Sequence, residues 1–276
     1  MYSIEQAMDK AYAQEVLKKI KCFVFDMDGT IYLESKILDG AIEFLHKLEE
    51  NNVMIRFFTN NSSKNNKVYV DRITKMGYPV TEEKIFISNH VIITHLLDNM
   101  PEKTVFVLGN QYLQNDFKEA GVKLVEENPD IVVVGFDTSL AYDRLTKACT
   151  FIRNGATFYG VNPDFNCPMV DGYIPDCGSI CALITASTGK VPEFFGKPTV
   201  HTLEYILKKT GLKEEEIAIV GDRLYTDIAL AKGNKVTSIL VLTGESTLED
   251  VPQAEVKPTL IFRSLKEAQP VIDALY

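Results

Sequence analysis

The sequence has no apolar run approaching the about 18 residues that a membrane-spanning helix requires, so no such helix is expected. It is also short of positive charge. Lys and Arg number 29 against 38 Asp and Glu, for a net charge of −9 and a pI near 5.1. An acidic chain repels phosphate backbones and anionic lipid surfaces, which argues against nucleic acid or membrane as a partner. The five cysteines, Cys22, Cys149, Cys167, Cys177 and Cys181, form no CxxC and no zinc-ligand spacing, so they read as buried thiols in a reducing cytosol. No GxxxxGK[ST] and no GxGxxG occurs, which excludes a P-loop kinase and a dinucleotide enzyme of the usual kind. Linkers rich in Ser or Gly are absent, and so are repeats. The N-terminal stretch lacks a continuous apolar segment and carries Glu5, Asp9 and Glu15. It is read as a short amphipathic helix over 4–19 rather than a secretory signal, and a cytoplasmic location is expected.

What is present is a chain that can bury a substantial core, with 46% hydrophobic residues. The most informative stretch is Phe23-Val24-Phe25-Asp26-Met27-Asp28-Gly29-Thr30. Its apolar half reads as a buried parallel strand. Its two aspartates fall where that strand emerges, the edge at which open α/β sheets bind ligands. A strand–helix rhythm follows. A helix is expected over Ala41–Asn51, a strand over Val53–Phe58 and a helix over Lys64–Met76. Late in the chain come a helix over His201–Lys209, strands over Ile217–Val220, Ser238–Leu242 and Leu260–Phe262, and a helix over Asp227–Lys232. Between these blocks lie strand candidates Val105–Leu108, Ile131–Val134 and Phe158–Val161, with helices near Asn110–Ala120 and Tyr142–Asn154. The pattern predicts an α/β protein: a Rossmann-like parallel-sheet core built from residues 1–80 and 190–276, with a smaller α/β domain inserted at 81–189.

Four polar islands sit at successive strand ends: Asp26/Asp28, Thr59/Asn60, Gly196-Lys197-Pro198, and Gly221-Asp222-Arg223 through Asp227. Each alone is an ordinary turn or cap, but their order on one sheet pattern gives them a joint chemical sense. A hard divalent cation such as Mg²⁺ takes oxygen ligands. Asp26 and Asp222 offer carboxylates to it, and the backbone carbonyl of Asp28 a further oxygen. Asp26 is then poised to attack a phosphoryl group, and Asp28 to protonate the leaving oxygen and later deprotonate water. Thr59, Asn60 and Lys197 suit the phosphoryl oxygens, and Asp227 suits a supporting role around the metal.

These islands resemble the haloacid dehalogenase superfamily of phosphohydrolases, and within it the NagD-like, 4-nitrophenylphosphatase subfamily IIA with an α/β cap. Secondary matches are Val134-Gly135-Phe136-Asp137, Asn162-Pro163-Asp164 and Leu242-Thr243-Gly244. The resemblance implies nucleophile Asp26, acid/base Asp28, Mg²⁺ at Asp26, Asp28 and Asp222, and phosphate contacts from Thr59, Asn60 and Lys197. It also implies a small phosphorylated metabolite as substrate, and it leaves homo-oligomerisation through the cap open. The chain departs from the pattern at Leu38-Asp39-Gly40-Ala41, at Tyr225 where an acid is common, and at Ile174-Pro175-Asp176-Cys177-Gly178 in the cap. Substrate choice is therefore tied to cap residues, with Asn162, Asp164 and Asp176 as candidates, against a second reading as loop-stabilising Asx turns. Arg223 reads as a salt-bridge or loop anchor. His46, His90, His95 and His201 read as structural. Two rival functions stand beside hydrolysis: a phosphotransferase or mutase, and a phospho-ligand sensor whose catalysis has lapsed.

Overall fold

A computed structural model describes residues 2–169 and 172–276. The chain divides into two compact units. The first comprises Met1–Thr59, Val70–Phe86 and Ile206–Tyr276, the second Asn60–Tyr69 and Ile87–Tyr205.

In the first unit the run Cys22–Phe25 is a strand buried along its whole length. It lies between two parallel neighbours, Ile217–Gly221 and Met54–Thr59, with Phe25 opposite both Val220 and Phe57. The full sheet runs Leu260–Phe262, Thr237–Val241, Ile217–Gly221, Cys22–Phe25, Met54–Thr59, Ile85–Ile87. Such strands read as continuous apolar runs because both sheet faces are covered. From the central strand the chain first builds one side of the sheet and later the other. That makes its carboxyl end a topological switch point. Helix Ala41–Glu50 buries Ala41, Phe44, Leu45 and Leu48, a spacing that lines one helical face, and packs against the C-terminal helix Leu265–Asp273.

The expected helix over 4–19 is two helices, Ile4–Ala7 and Lys10–Leu17. The break falls at Asp9, whose carboxylate accepts from the Tyr12 N–H at 2.7 Å and caps the second helix. Ala7 joins Leu224, Ile228, Leu240, Val251 and Ile261 in one buried cluster. The helix expected over Asp227–Lys232 is only a 3₁₀ turn, Ile228–Ala231. Asp227 folds its carboxylate back onto the Arg223 N–H at 3.2 Å, which holds the preceding segment as a loop.

The second unit is a five-stranded parallel sheet in the order Glu193–Phe194, Thr157–Gly160, Ile131–Val134, Thr104–Leu108, Lys123–Leu124. An antiparallel hairpin pairs Asn166–Met169 with Gly172–Pro175. The segment Asn60–Tyr69 belongs to this unit through hydrogen bonds within it. Ser88 Oγ donates to the Asn60 carbonyl at 2.8 Å, Asn110 Nδ2 to the Ser63 carbonyl at 2.9 Å, and the Phe136 N–H to Ser62 Oγ at 3.1 Å. The unit boundaries thus differ from the 81–189 expected from the sequence. The helices Ser88–Asn99, Cys177–Thr188 and Leu265–Asp273 were outside the sequence-based expectation. The second of these begins in a stretch punctuated by Pro, Asp and Gly.

Phe117 is wholly buried on helix Gln111–Glu119, so Phe117→Ala is expected to destabilise the fold by about 3–5 kcal/mol, read as a shifted urea midpoint. Asp116 on the same helix has its carboxyl pushed up to about 6 by burial, against a hydrogen bond from Asn89. Between an ordinary unfolded value near 4 and about 6 the folded state binds more protons than the unfolded one. Stability therefore falls as pH rises through that window. Asp116→Asn is expected to flatten this part of the stability–pH profile relative to the wild type.

Candidate active site

Asp26 continues the central strand, and its N–H donates to the Val220 carbonyl at 2.8 Å. Asp222 follows the neighbouring strand Ile217–Gly221. Parallel register alone therefore puts these two carboxylates at one sheet edge. Asp227 joins them, so that carboxylate oxygens of Asp26, Asp222 and Asp227 all lie within 4.8 Å of one another. Asp222 and Asp227 are buried, at 2% and 1% exposure.

Two loops fit closely around Asp222. One oxygen accepts from the Glu245 N–H at 2.8 Å, and the Asp222 carbonyl accepts from the Ser246 N–H at 3.1 Å. Gly244 and Gly29 pack so near the carboxylate that a Cβ on either would overlap it. Gly29 also adopts φ +85°, a conformation that glycine accepts at little cost. Thr243 Oγ1 donates to the Gly29 carbonyl at 2.6 Å and ties these two loops together. The DxDG and LTG motifs are thus two walls of one carboxylate pocket.

The second oxygen of Asp222, Oδ1, is buried with no hydrogen-bond partner among the described residues. A buried carboxylate oxygen in that state is costly unless something cationic approaches it. Burial, and then the charge of Asp227, push the Asp222 carboxyl up to about 6, against the Glu245 N–H and Arg223. Three convergent carboxylates with one orphaned oxygen fit a hard divalent cation held by oxygen ligands.

Arg223 forms an ion pair with Glu245, Nε to Oε2 at 2.9 Å. Burial disfavours its charge, yet the carboxylates of Asp26 and Asp222 outweigh that and raise its pKa. The anchor role read from the sequence fits this pairing. Tyr225, which stands where an acid is common, is exposed and donates to Glu245 Oε1 at 2.7 Å.

Asp28 lies outside the convergent group. Its carboxylate Oδ1 is 3.9 Å from Arg72 Nη1, and its backbone bridges to Tyr32. Thr59 ends the strand Met54–Thr59 and is buried.

In the second unit, Asn60 and Lys197 are bound to each other. The Lys197 N–H donates to Asn60 Oδ1 at 2.8 Å, and Asn60 Nδ2 donates to the Lys197 carbonyl at 2.9 Å. Lys197 is 3% exposed. Asn60 Nδ2 also reaches Asp164 Oδ2 at 3.1 Å, while Asn162 Nδ2 donates to the Asn60 carbonyl at 2.7 Å. Asn162 Oδ1 accepts from the Asp164 N–H at 3.0 Å, an Asx turn. A Cβ on Gly196 would press into Asn162 and Asn60 at 2.7 Å, which accounts for glycine before Lys197. Asp176 is buried and caps helix Cys177–Thr188, accepting from the Cys177 N–H at 2.5 Å. The structure thus gathers Asn60, Asn162, Asp164 and Lys197, and gives Asp176 a capping duty.

The histidines sit in packing environments. His90 Nδ1 accepts from the Ile87 N–H at 3.3 Å. His201 stacks on Phe195 at 4.3 Å between centroids, and His95 meets the same ring at 4.9 Å. Arg72 and Glu245 were not singled out from the sequence. No motif signals either one: Arg72 comes to Asp28 from helix Asn66–Lys75 and Glu245 comes to Asp222 from a loop, each far along the chain from its partner.

Among the described residues no helix is long and apolar enough to cross a membrane. The sequence matches the haloacid dehalogenase-like hydrolase family over residues 23–123 and a HAD-hydrolase-like family over 194–268. An acid sugar phosphatase of Staphylococcus aureus is 34% identical over 253 residues, covering 91% of this chain and 98% of that protein. Among solved structures, a 4-nitrophenylphosphatase from Thermotoga maritima has a TM-score of 0.89 at 44% identity, covering 95% of this chain and 99% of that one. A glycerol phosphate phosphatase from Mycobacterium tuberculosis, solved in complex with magnesium, has a TM-score of 0.85 at 28% identity, covering 91% and 77%. The carboxylate-bearing strand ends, the parallel sheet that carries them and these likenesses agree: the chain belongs to the haloacid dehalogenase-like hydrolase family.

Proposed function

We propose that the protein is a phosphatase that hydrolyses small phosphomonoesters through a covalent aspartyl-phosphate on Asp26, with Mg²⁺ held by Asp26 and Asp222 and the Asp28 carbonyl. The observation that carries this reading is the convergence of Asp26, Asp222 and Asp227 around an orphaned, buried Asp222 oxygen. When bound, the cation offsets the repulsion among these carboxylates and the negative charge of the transferring group.

The chain's own residues supply the remaining steps. The Asp26 carboxylate attacks phosphorus. As the ester P–O bond breaks, its electron pair stays on the leaving oxygen, which takes a proton from Asp28. The ionised Asp28 then accepts a proton from water, and the water oxygen attacks the aspartyl-phosphate. The P–O bond to Asp26 breaks, its electron pair returns to the carboxylate, and inorganic phosphate leaves. Thr59, Asn60 and Lys197 are assigned to the non-reacting phosphoryl oxygens, where fixed donors stabilise charge as it spreads. Asp227, bonded to the Arg223 N–H, is assigned to holding the Asp222 loop and would support the cation from beside its ligands.

Sugar phosphates, nucleotides and aryl phosphates are the substrates this reading favours. The names of the relatives, an acid sugar phosphatase, a 4-nitrophenylphosphatase and a glycerol phosphate phosphatase, point the same way. Selectivity is assigned to the inserted segment, with Asn162 and Asp164 as its candidates. The reading keeps the chain cytoplasmic and away from nucleic acid and membrane. Water as the acceptor separates it from a phosphotransferase or mutase, and inorganic phosphate release matching substrate loss is the expected result.

Turnover of 4-nitrophenyl phosphate is expected to vanish on chelation and return with Mg²⁺, and to fall by at least ~10³-fold in Asp26→Asn; undiminished activity in either case overturns the reading. Gly244→Ala is expected to displace the Asp222 carboxylate, raising the Mg²⁺ concentration for half-maximal activity by about 10-fold or more, as measured by metal titration.

A further inference from the structure

Asp28 has a neighbour that also contacts the turn carrying it. Arg72, from helix Asn66–Lys75, lays its guanidinium over the ring of Tyr32 at 4.8 Å from the centroid. Its Nη1 donates to the Tyr32 hydroxyl at 3.5 Å and stands 3.9 Å from Asp28 Oδ1. Tyr32 is a rigid support, wholly buried. Its N–H donates to the Met27 carbonyl at 3.2 Å, and its carbonyl accepts from the Gly29 N–H at 2.8 Å. Asp28 and the platform of Arg72 therefore belong to one hydrogen-bonded turn.

Asp28 and Arg72 have side-chain exposures of 36% and 34%, so the ion pair does little for stability. The stack on Tyr32 does something else. A planar guanidinium pinned to a ring presents its N–H groups in one fixed direction. That direction limits the rotamers open to a carboxylate that stays out of the Asp26–Asp222–Asp227 group.

We propose that Arg72 is a positioning residue for Asp28: the guanidinium clamped on Tyr32 orients the Asp28 carboxyl for proton transfer and keeps it from turning into the neighbouring carboxylate cluster. The proposal rests on the reading of Asp28 as the acid/base group. It assigns Arg72 no contact with substrate and no share in the metal site.

The test uses leaving-group dependence, which a structural role would not move. Phenyl phosphate and 4-nitrophenyl phosphate differ mainly in how much the departing oxygen needs a proton, and kcat/KM reports the step in which it departs. In Arg72→Gln, kcat/KM for phenyl phosphate is expected to fall about 10–100-fold, while that for 4-nitrophenyl phosphate falls less than about 3-fold. Arg72→Lys, which keeps the charge and loses the planar stack, is expected to recover only part of the difference. Asp28→Asn should show the same selectivity to a greater degree, and adding Arg72→Gln to it should produce no further loss. Equal losses on both esters, or additive losses in the double variant, overturn the role of Arg72. If Asp28→Asn itself shows no leaving-group selectivity, the acid/base reading fails instead, and the two failures are told apart. Circular dichroism and the melting midpoint of each variant check that the comparison is made on folded protein, with Arg72→Lys as the conservative control.

Discussion

The mutual repulsion of Asp26, Asp222 and Asp227 is the constraint around which the site is built. Three carboxylates whose oxygens lie within 4.8 Å of one another, two of them buried, form an arrangement that like charges resist. The fold holds it by supplying compensation from donors and from positive charge. Backbone N–H groups of Glu245 and Arg223 bind Asp222 and Asp227, and the Arg223 side chain brings positive charge. One Asp222 oxygen has no hydrogen-bond partner among the described residues. A scaffold that gathers three carboxylates in this way is suited to a cation.

That arrangement explains several local features at once. The glycines of the DxDG and LTG motifs lie against the Asp222 carboxylate, where any side chain would collide with it. Gly221 has the same relation to Asp227. The segment after Asp222 stays a loop where a helix start was expected, because Asp227 turns back onto the Arg223 N–H. Helix Ile4–Ala7 reaches the same loop through the cluster joining Ala7 to Leu224 and Ile228. The carboxylate loop is thereby anchored in core packing.

The alternation of apolar runs and amphipathic stretches made most strands of the two larger sheets legible in advance. Leu260–Phe262 and Ile131–Val134 appear as strands with the expected ends, since buried parallel strands leave an unbroken apolar signal. Helix Cys177–Thr188 was obscured by the Pro-Asp-Cys-Gly run at its start. There Asp176 is a capping residue whose chemistry looks the same in sequence as that of a binding residue. The three-residue strand Ile85–Ile87 was too short to stand out. Segment Asn60–Tyr69 joins the second unit through hydrogen bonds to residues far along the chain, which no local pattern encodes.

By itself, the sequence determined the parallel α/β class, the strand ends that carry chemistry and the carboxylates Asp26, Asp28, Asp222 and Asp227 as a set. These follow from hydrophobic periodicity and from polar residues placed where buried strands must end. Only the tertiary structure decided which of those residues come together. It brought carboxylate oxygens of Asp26, Asp222 and Asp227 within 4.8 Å of one another, left Asp28 beside Arg72 and Tyr32, and turned Asp176 to a helix end. The physical reason is that charge repulsion, burial and hydrogen-bond satisfaction act through distances in space, and residues 40 to 200 positions apart become neighbours only once the sheet has set its register.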